Sequence, residues 1–494
     1  MKRFTILFIL SLLIVSEITA QATKTDYFIN TSTTRSSLNP ALRPSQGYVG
    51  FPGLSNVYVD IKTNTFNLDH LLFKKEGDML TFMHPEVSSD EFLKNMSDNN
   101  YVSADLAWSF LSAGWYAGEG FWTVNFGARA YTNFNIPKSV FELMKEGFSD
   151  EEEESHNYDL KNIGGNATAF FETALGYSRP LLDNSLMVGV KVKHLLGVGD
   201  MNLNIDRMNI AYDGPGRTWS SVAQASLNGS YKGIKPKYKY QRKLNREGVE
   251  EEKESFDGIE TDGYGVVGSG FGFDLGVVYD FNKVAEGIAD PVFSDIMSRV
   301  KVSMALTDIG YISWSGKNSM QLTSPNSETS FSPNDYIIGD DDGAKSLEDH
   351  LDDVMDDFGE ALNFKETKQG KGRRTSLRTN MNIGLEYEAW KDNLSVGLLS
   401  STHFGEYQTI TEFTASANYN PNKSWFATSL SYSFVHSSFD TFGLAIHLAP
   451  SRGINLFLAS DYVIPHVNSD FWPTTSKGVN VQLGLSIPIG SRRN

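Results

Sequence analysis

The stretch Val300-Lys301-Val302-Ser303-Met304-Ala305-Leu306-Thr307 alternates large apolar residues with small or charged ones. Side chains along a strand point to opposite faces in turn, so this spacing predicts a β-strand with one apolar face and one mixed polar face. Other stretches repeat the pattern. Val102, Ala104, Leu106, Trp108 and Phe110 oppose Ser103, Asp105, Ala107 and Ser109; Phe271, Phe273, Leu275, Val277 and Tyr279 oppose Gly272, Asp274 and Gly276; Val481, Leu483, Leu485, Ile487 and Ile489 oppose Gln482, Gly484 and Ser486. The polar face carries both signs of charge. Candidates for it are Asp60, Lys62, Asp105, Arg129, Glu172, Lys191, Lys193, Asp274, Lys301, Glu386, Glu388, His447 and Asp461. A half-solvated soluble sheet also alternates, so a single strand decides nothing.

Length and number decide. About sixteen such segments run from residue 54 to residue 490, mostly longer than a soluble strand and matched to the roughly 9–11 residues of a tilted membrane strand. Their connections sort by parity: long gaps at 67–100, 135–164, 232–265 and 315–377 follow odd-numbered segments, whereas turns such as Lys391-Asp392-Asn393 and Pro421-Asn422-Lys423 lie at the other end, with 282–298 as an exception. Short periplasmic turns with long external loops mark the outer-membrane barrel. The count is sixteen if 184–198 and 200–211 are separate strands; a mere kink at 198–200 leaves fourteen. The fold class expected is therefore all-β, a transmembrane antiparallel outer-membrane β-barrel of about 14–16 strands.

Composition agrees. The 494 residues carry 43 Lys+Arg against 60 Asp+Glu, a net charge of −17, which excludes a basic nucleic-acid binder. Mean hydropathy is −0.30, and beyond residue 20 no apolar run approaches the roughly 20 residues of a spanning helix. The absence of Cys rules out disulfides, thiolate metal sites and a cysteine nucleophile. Much of the acidity is local. Residues 150–154 are all carboxylates, and 340–360 hold ten carboxylates against Lys345 alone, so the negative charge belongs to expected outer loops.

Lys2 and Arg3 precede the apolar run Phe4–Val15, and Ala20 offers a small residue at a cleavage point, so residues 1–20 read as a secretory signal peptide. Residues 21–47 are polar and turn-rich without alternation. They fold back into the lumen as a plug or form a disordered periplasmic arm, and residues 48–494 form the barrel. Within the loops, Pro137–Phe148 is expected to be a helix presenting Val140, Phe141, Met144 and Phe148, and Ala344–Leu362 a second, acidic one.

The junction Asn39-Pro40-Ala41 leading into the first strand resembles that of the long-chain fatty-acid transporter (FadL-like) barrels and of the related type IX secretion barrel. The blocks Tyr48–Asn56, Val190–Gly197 and Thr307–Trp314 are similar to a closer group, a domain-of-unknown-function family of Gram-negative outer-membrane barrels. The resemblance covers nearly the whole mature chain and implies a barrel of about fourteen strands with an N-terminal plug. It assigns no activity.

Chemical motifs are few. Gly263-Tyr264-Gly265-Val266-Val267-Gly268 matches GxGxxG, but Ser269–Tyr279 alternates as a strand instead of opening a helix, so its glycines read as loop and strand. Asp340-Asp341-Asp342-Gly343 fails as a calcium loop, because placing Gly343 at position six puts Ile338 at position one. Looser cation binding would fall to Asp349, Asp352, Asp353 and Asp356. Neither HExxH nor GxSxG occurs. The run Lys232–Arg246 followed by Glu247–Glu254 reads as a solvated hairpin or as a contact for lipopolysaccharide phosphates. The expectation is a non-enzymatic protein of the cell outer membrane without cofactor. Its environment is outer-membrane lipid and lipopolysaccharide. It passes a small or hydrophobic molecule, or alternatively serves as a non-transporting scaffold that binds an envelope protein partner.

Overall fold

The computed structural model describes residues 22–65, 67, 72–75, 78–82, 86–94, 96–146, 155–213, 218–244, 250–326, 328–331, 359–367, 370–421, 425–436, 439–448, 453–463 and 477–490. Its core is one antiparallel sheet closed on itself. The fourteen barrel strands are β1 (Gly47–Gly50, continuing as Asn56–Thr63), β2 (Asn99–Ala117), β3 (Gly120–Pro137), β4 (His156–Leu181), β5 (Leu186–Asp213), β6 (Gly268–Asp280) and β7 (Val300–Trp314), then β8 (Arg373–Ser376 and Asn380–Trp390), β9 (Leu394–Phe404), β10 (Thr409–Tyr419), β11 (Phe426–Val435), β12 (Phe439–Leu448), β13 (Asn455–Val463) and β14 (Gly478–Ile489). Each pairs with the next, and β14 returns to β1, with Val57 opposite Leu483 and Val49 opposite Ile487. Closure leaves no unpaired edge, as backbone groups in lipid require. No described helix is long and apolar enough to cross a membrane.

Fourteen strands, not sixteen, form the wall. The segments 184–198 and 200–211 are the two halves of β5: Leu186–Gly197 pairs with β6, and Asp200–Asp213 pairs with a further strand, Thr218–Ser230, outside the barrel. The kink between them is a β-bulge, where the β4–β5 register shifts at Ala169/Phe170 and the strand continues. At about 3.4 Å per residue the 28 residues of β5 extend roughly 90 Å, far beyond a membrane's apolar thickness.

Alternation holds along most of the wall. In β6, Phe271, Phe273, Leu275 and Val277 are exposed, whereas Gly270, Gly272, Asp274 and Gly276 are buried. Val302 and Met304 of β7 are likewise exposed, with Ser303, Ala305 and Thr307 buried. An all-round belt of exposed Leu, Val, Ile and Phe is the surface a bilayer would cover.

The rims differ. At one, the connections at 118–119, 182–185 and 391–393 are short turns, and 281–299 folds into two short helices, Asn282–Glu286 and Pro291–Met297. At the other, the long connections build an apolar core: Val140, Phe141, Leu143 and Met144 of helix Lys138–Glu146 join Phe92, Leu160, Ile210, Tyr212, Trp219 and Leu362. Phe148, the fourth residue expected on that helix, lies outside the described residues. Of the expected acidic helix only its last residues, 359–362, are described and helical, so Asp349, Asp352, Asp353 and Asp356 also fall outside them. The basic and acidic runs are the two strands of a hairpin, with Arg242 opposite Glu252 and Lys243 opposite Glu251.

Candidate functional site in the lumen

Residues 22–46 lie inside the closed wall, because they bond to strands all around it. Thr23 N–H donates to Gln482 of β14 (2.7 Å), the N–H groups of Lys24 and Thr25 donate to Asp461 of β13 (3.0 and 2.8 Å), and Thr25 Oγ1, which donates to Asp461 (2.7 Å), accepts from the Ser431 hydroxyl of β11 (2.6 Å). Tyr27 Oη meets Ser303 of β7 (2.9 Å), Lys191 of β5 donates to the Ser36 carbonyl (3.0 Å), and Asn382 of β8 donates to the Leu38 carbonyl (2.8 Å). Thr31 Oγ1 meets His447 Nδ1 on β12 at 2.8 Å.

Much of the wall behind the segment is built from small residues. Ile29 packs in a cluster with Ala427, Ala445, Ala459 and Phe457, and a Cβ at Gly397 would come within 2.3 Å of the Phe28 ring. Asn39 and Pro40 press on two further glycines: a Cβ at Gly276 would stand 2.0 Å from Asn39 Oδ1, and one at Gly189 2.3 Å from Pro40 C. Only glycine allows the backbone that close. Asn39 holds the corner by accepting from Ala41 N–H (2.9 Å) and donating to Tyr27 Oη (3.2 Å).

The charged residues assemble into buried networks. Arg129 of β3 grips Asp308 with two guanidinium nitrogens (2.6 and 2.9 Å) and reaches Glu172 of β4 at 3.2 Å. Lys193 of β5 lies 2.5 Å from Asp308 and 2.7 Å from Asp274 of β6, and Lys191 lies 3.9 Å from Asp274. Asp60 and Lys62, successive inward positions of β1, pair at 2.7 Å, and Asp105 of β2 takes the guanidinium of Arg378. Lys24 Nζ stands 3.2 Å from Glu412 and 3.6 Å from Asp461, a charge contact without an aligned hydrogen bond. Lys301 and Glu388 pair near the turn-side rim, where they are partly exposed, and Glu386 faces Lys301 across the ladder. Charges of both signs survive here because each has partners; unpaired, each would be costly to bury.

Arg378, Asp308, His403, Glu412 and Lys24 also belong to these networks; Arg378, His403 and Glu412 are in phase with the inward positions of their strands, whereas alternation does not reveal Asp308 or Lys24. Asp308 sits at a bulge, φ 60°, between Leu275↔Leu306 and Phe273↔Ile309, so Thr307 and Asp308 both point inward and the parity of β7 is broken there. Lys24 lies in a segment with no period to read.

Between the N-terminal segment and the wall is a polar cavity lined by Arg129, Glu172, Lys193, Asn380, Asn382 and His403 among others. His403 Nε2 and Asn382 Oδ1 have no hydrogen-bond partner among the described residues. Also among the described residues, no cluster of three or more His, Asp or Glu is placed to hold a metal ion.

The model of a family of unknown function, DUF5723, matches residues 40–461, from the Asn39-Pro40 corner to Asp461. The chain belongs to the DUF5723 family. Among curated proteins none matches it. Solved structures similar to this DUF5723 chain include the Pseudomonas putida toluene transporter TodX (10% identity, 94% of this chain and 97% of that one, TM-score 0.34). A deletion mutant of the TodX monoaromatic hydrocarbon channel (9%, 96% and 98%, 0.35) and the siderophore receptor PirA from Pseudomonas aeruginosa (8%, 90% and 80%, 0.20) are others. The barrel assignment of the DUF5723 chain rests on its own strand pairing. The GxGxxG glycines of this DUF5723 member lead directly into β6, which excludes a phosphate-binding helix there.

One group in the inner segment titrates in an accessible range. Burial raises the Asp26 carboxyl to about 7, opposed by the Ser32 and Thr34 hydroxyls, each donating to it at 2.5 Å. A released Asp26 returns to about 3.9. The seated form therefore binds the proton more tightly. Its contribution to seating is complete below about pH 4 and is lost as pH rises through about 7. Protease protection of residues 22–46 is expected to be stronger at pH 5 than at pH 8, and equal at both in Asp26→Asn; an unchanged pH dependence in that variant would assign the effect elsewhere.

Proposed function

We propose that the protein is an outer-membrane channel whose lumen is closed by residues 22–46 acting as a plug, and that it passes a small, polar solute when the plug shifts. The observation that carries this reading is the construction of the wall. Where the plug packs, β9–β12 present many small residues inward, including Ser401, Ser416, Asn418, Ser429, Ser431, Ser433, Ala427 and Ala445, beside larger ones such as Leu399, Val435 and His447. A barrel filled for rigidity alone would complete its interior with large wall side chains. Here a separate segment fills it, mostly through polar contacts that water can replace. The charged lining favours a polar solute over a hydrocarbon, since an apolar cargo would strand Arg129, Lys193 and Glu172 without solvation. In this orientation residues 1–20 are the export signal, the turn-side rim faces the periplasm, and the loop-side rim faces outward with its lipopolysaccharide.

Planar-bilayer conductance and liposome swelling test it. Deleting residues 22–46 is expected to raise conductance about tenfold or more. Because the chain has no Cys, Thr25→Cys with Ser431→Cys offers a second arm: oxidation across that 2.6 Å contact should lock the plug, and a reductant should release it. Silence in both arms would overturn the channel. It would leave the second reading, a non-transporting scaffold, whose platform would be the loops folded around their own apolar core.

A further inference from the structure

A row of asparagines crosses the loop-side mouth. Asn99, Asn135, Asn162 and Asn204 come from the four consecutive strands β2, β3, β4 and β5, and together with Gln408 they line one recess. Strand register sets the row, since Asn135 is opposite Gly164 and Gly164 is opposite Asn204. The other wall is the β9–β10 turn, which crosses part of the mouth although β6, β7 and β8 separate it from β5. Tyr407 Oη donates to the Leu203 carbonyl (2.7 Å), Asn202 Nδ2 donates to Glu406 (2.8 Å), and the Tyr407 ring lies so close to Gly164 that a Cβ there would approach it to 2.3 Å. The recess has a cavity volume of about 390 Å³, within the size range of small-molecule sites.

From this geometry we infer that the recess binds a neutral, polyhydroxylated ligand, a saccharide in chemical class. A carboxamide both donates and accepts, and so does a sugar hydroxyl. Each of these asparagines offers two donor protons and a carbonyl; Asn135 spends one donor on the Asn162 carbonyl (2.7 Å) and Asn204 one on Asp206 (2.8 Å), which leaves most of their capacity for a ligand. The described lining has no Lys, Arg or His to attract an anion, and its one carboxylate, Glu406, already accepts from Asn202. Tyr407 adds a flat ring of the kind that packs against the C–H face of a pyranose.

The inference rests on the channel reading and names its solute class, but binding can be measured without passage. Isothermal titration of the detergent-purified full chain with maltotriose, raffinose and sorbitol is expected to show saturable binding of at least one. Asn135→Leu with Asn204→Leu, both only half-buried, should weaken it about tenfold or more while the barrel keeps its heat-dependent mobility on gels. Tyr407→Ala is the second variant, with the same expected loss. Failure of all three compounds to bind, undiminished binding in both variants, or binding of citrate or spermidine instead would overturn the assignment. Conductance data would decide the channel separately.

Discussion

Asp308→Ala is expected to destabilise the folded barrel by about 3–5 kcal/mol, the usual cost of removing one partner from a buried ionic network. Asp308 accepts two bonds from Arg129, one from Lys193 and one from Asn380 at 3.1 Å. With it the cluster balances three cations, Arg129, Lys191 and Lys193, against Glu172, Asp274 and Asp308; without it one buried cation has no counter-charge. Urea unfolding in detergent micelles, followed by tryptophan fluorescence, measures the loss. Asp308→Asn keeps the shape and acceptor oxygen and should lose less. Adding Arg129→Met to Asp308→Ala restores the charge balance and should recover part of the loss as a coupling energy. The control is Lys237→Ala, whose partly exposed 2.5 Å pair with Asp257 lies in the loop hairpin outside the barrel and is worth about 1 kcal/mol. A loss from Asp308→Ala no greater than the control's would show that the cluster is hydrated rather than buried.

Leu398→Arg is expected to impair membrane insertion by about 2–4 kcal/mol, the cost of a cation on the lipid face near the midplane. Leu398 is central in β9 and 57% exposed, flanked by the outward Val396 and the inward Leu399. Exposure alone is not the criterion. Tyr264 is 86% exposed but precedes β6 on the loop side, so Tyr264→Arg should be nearly neutral. Folding into liposomes, scored by resistance to protease and by the heat-shifted gel band, separates the two. Equal tolerance of both changes would mean that the exposed belt is not covered by lipid.

Much of the wall was legible because alternation is a local property. The sequence Phe271–Val277 shows which side of β6 faces lipid and that Asp274 faces inward, since consecutive side chains on a strand have no alternative. The lumen-facing positions Asp60, Lys62, Asp105, Arg129, Glu172, Lys191, Lys193 and Asp461 can be read the same way. Asp308 could not be, because a bulge inverts parity without changing composition. The strand count was ambiguous for a related reason: alternation persists through β5 beyond the bulge, and only pairing shows that residues 200–213 leave the barrel.

The partners of those charges, and of the inner segment, lie beyond sequence reading. Thr23 and Gln482 are 459 residues apart, and Lys24 and Asp461 are 437 apart. The asparagine row is similarly invisible, because its members stand on four different strands and only register across the wall brings them together. The sequence by itself determined the all-β class and the lipid-facing side of each regular strand, because period-two alternation is written in neighbouring residues. The tertiary structure alone decided fourteen strands over sixteen, the entry of residues 22–46 into the lumen and the pairing of its charges, because closing a barrel joins residues by register across the ring and not by their distance along the chain.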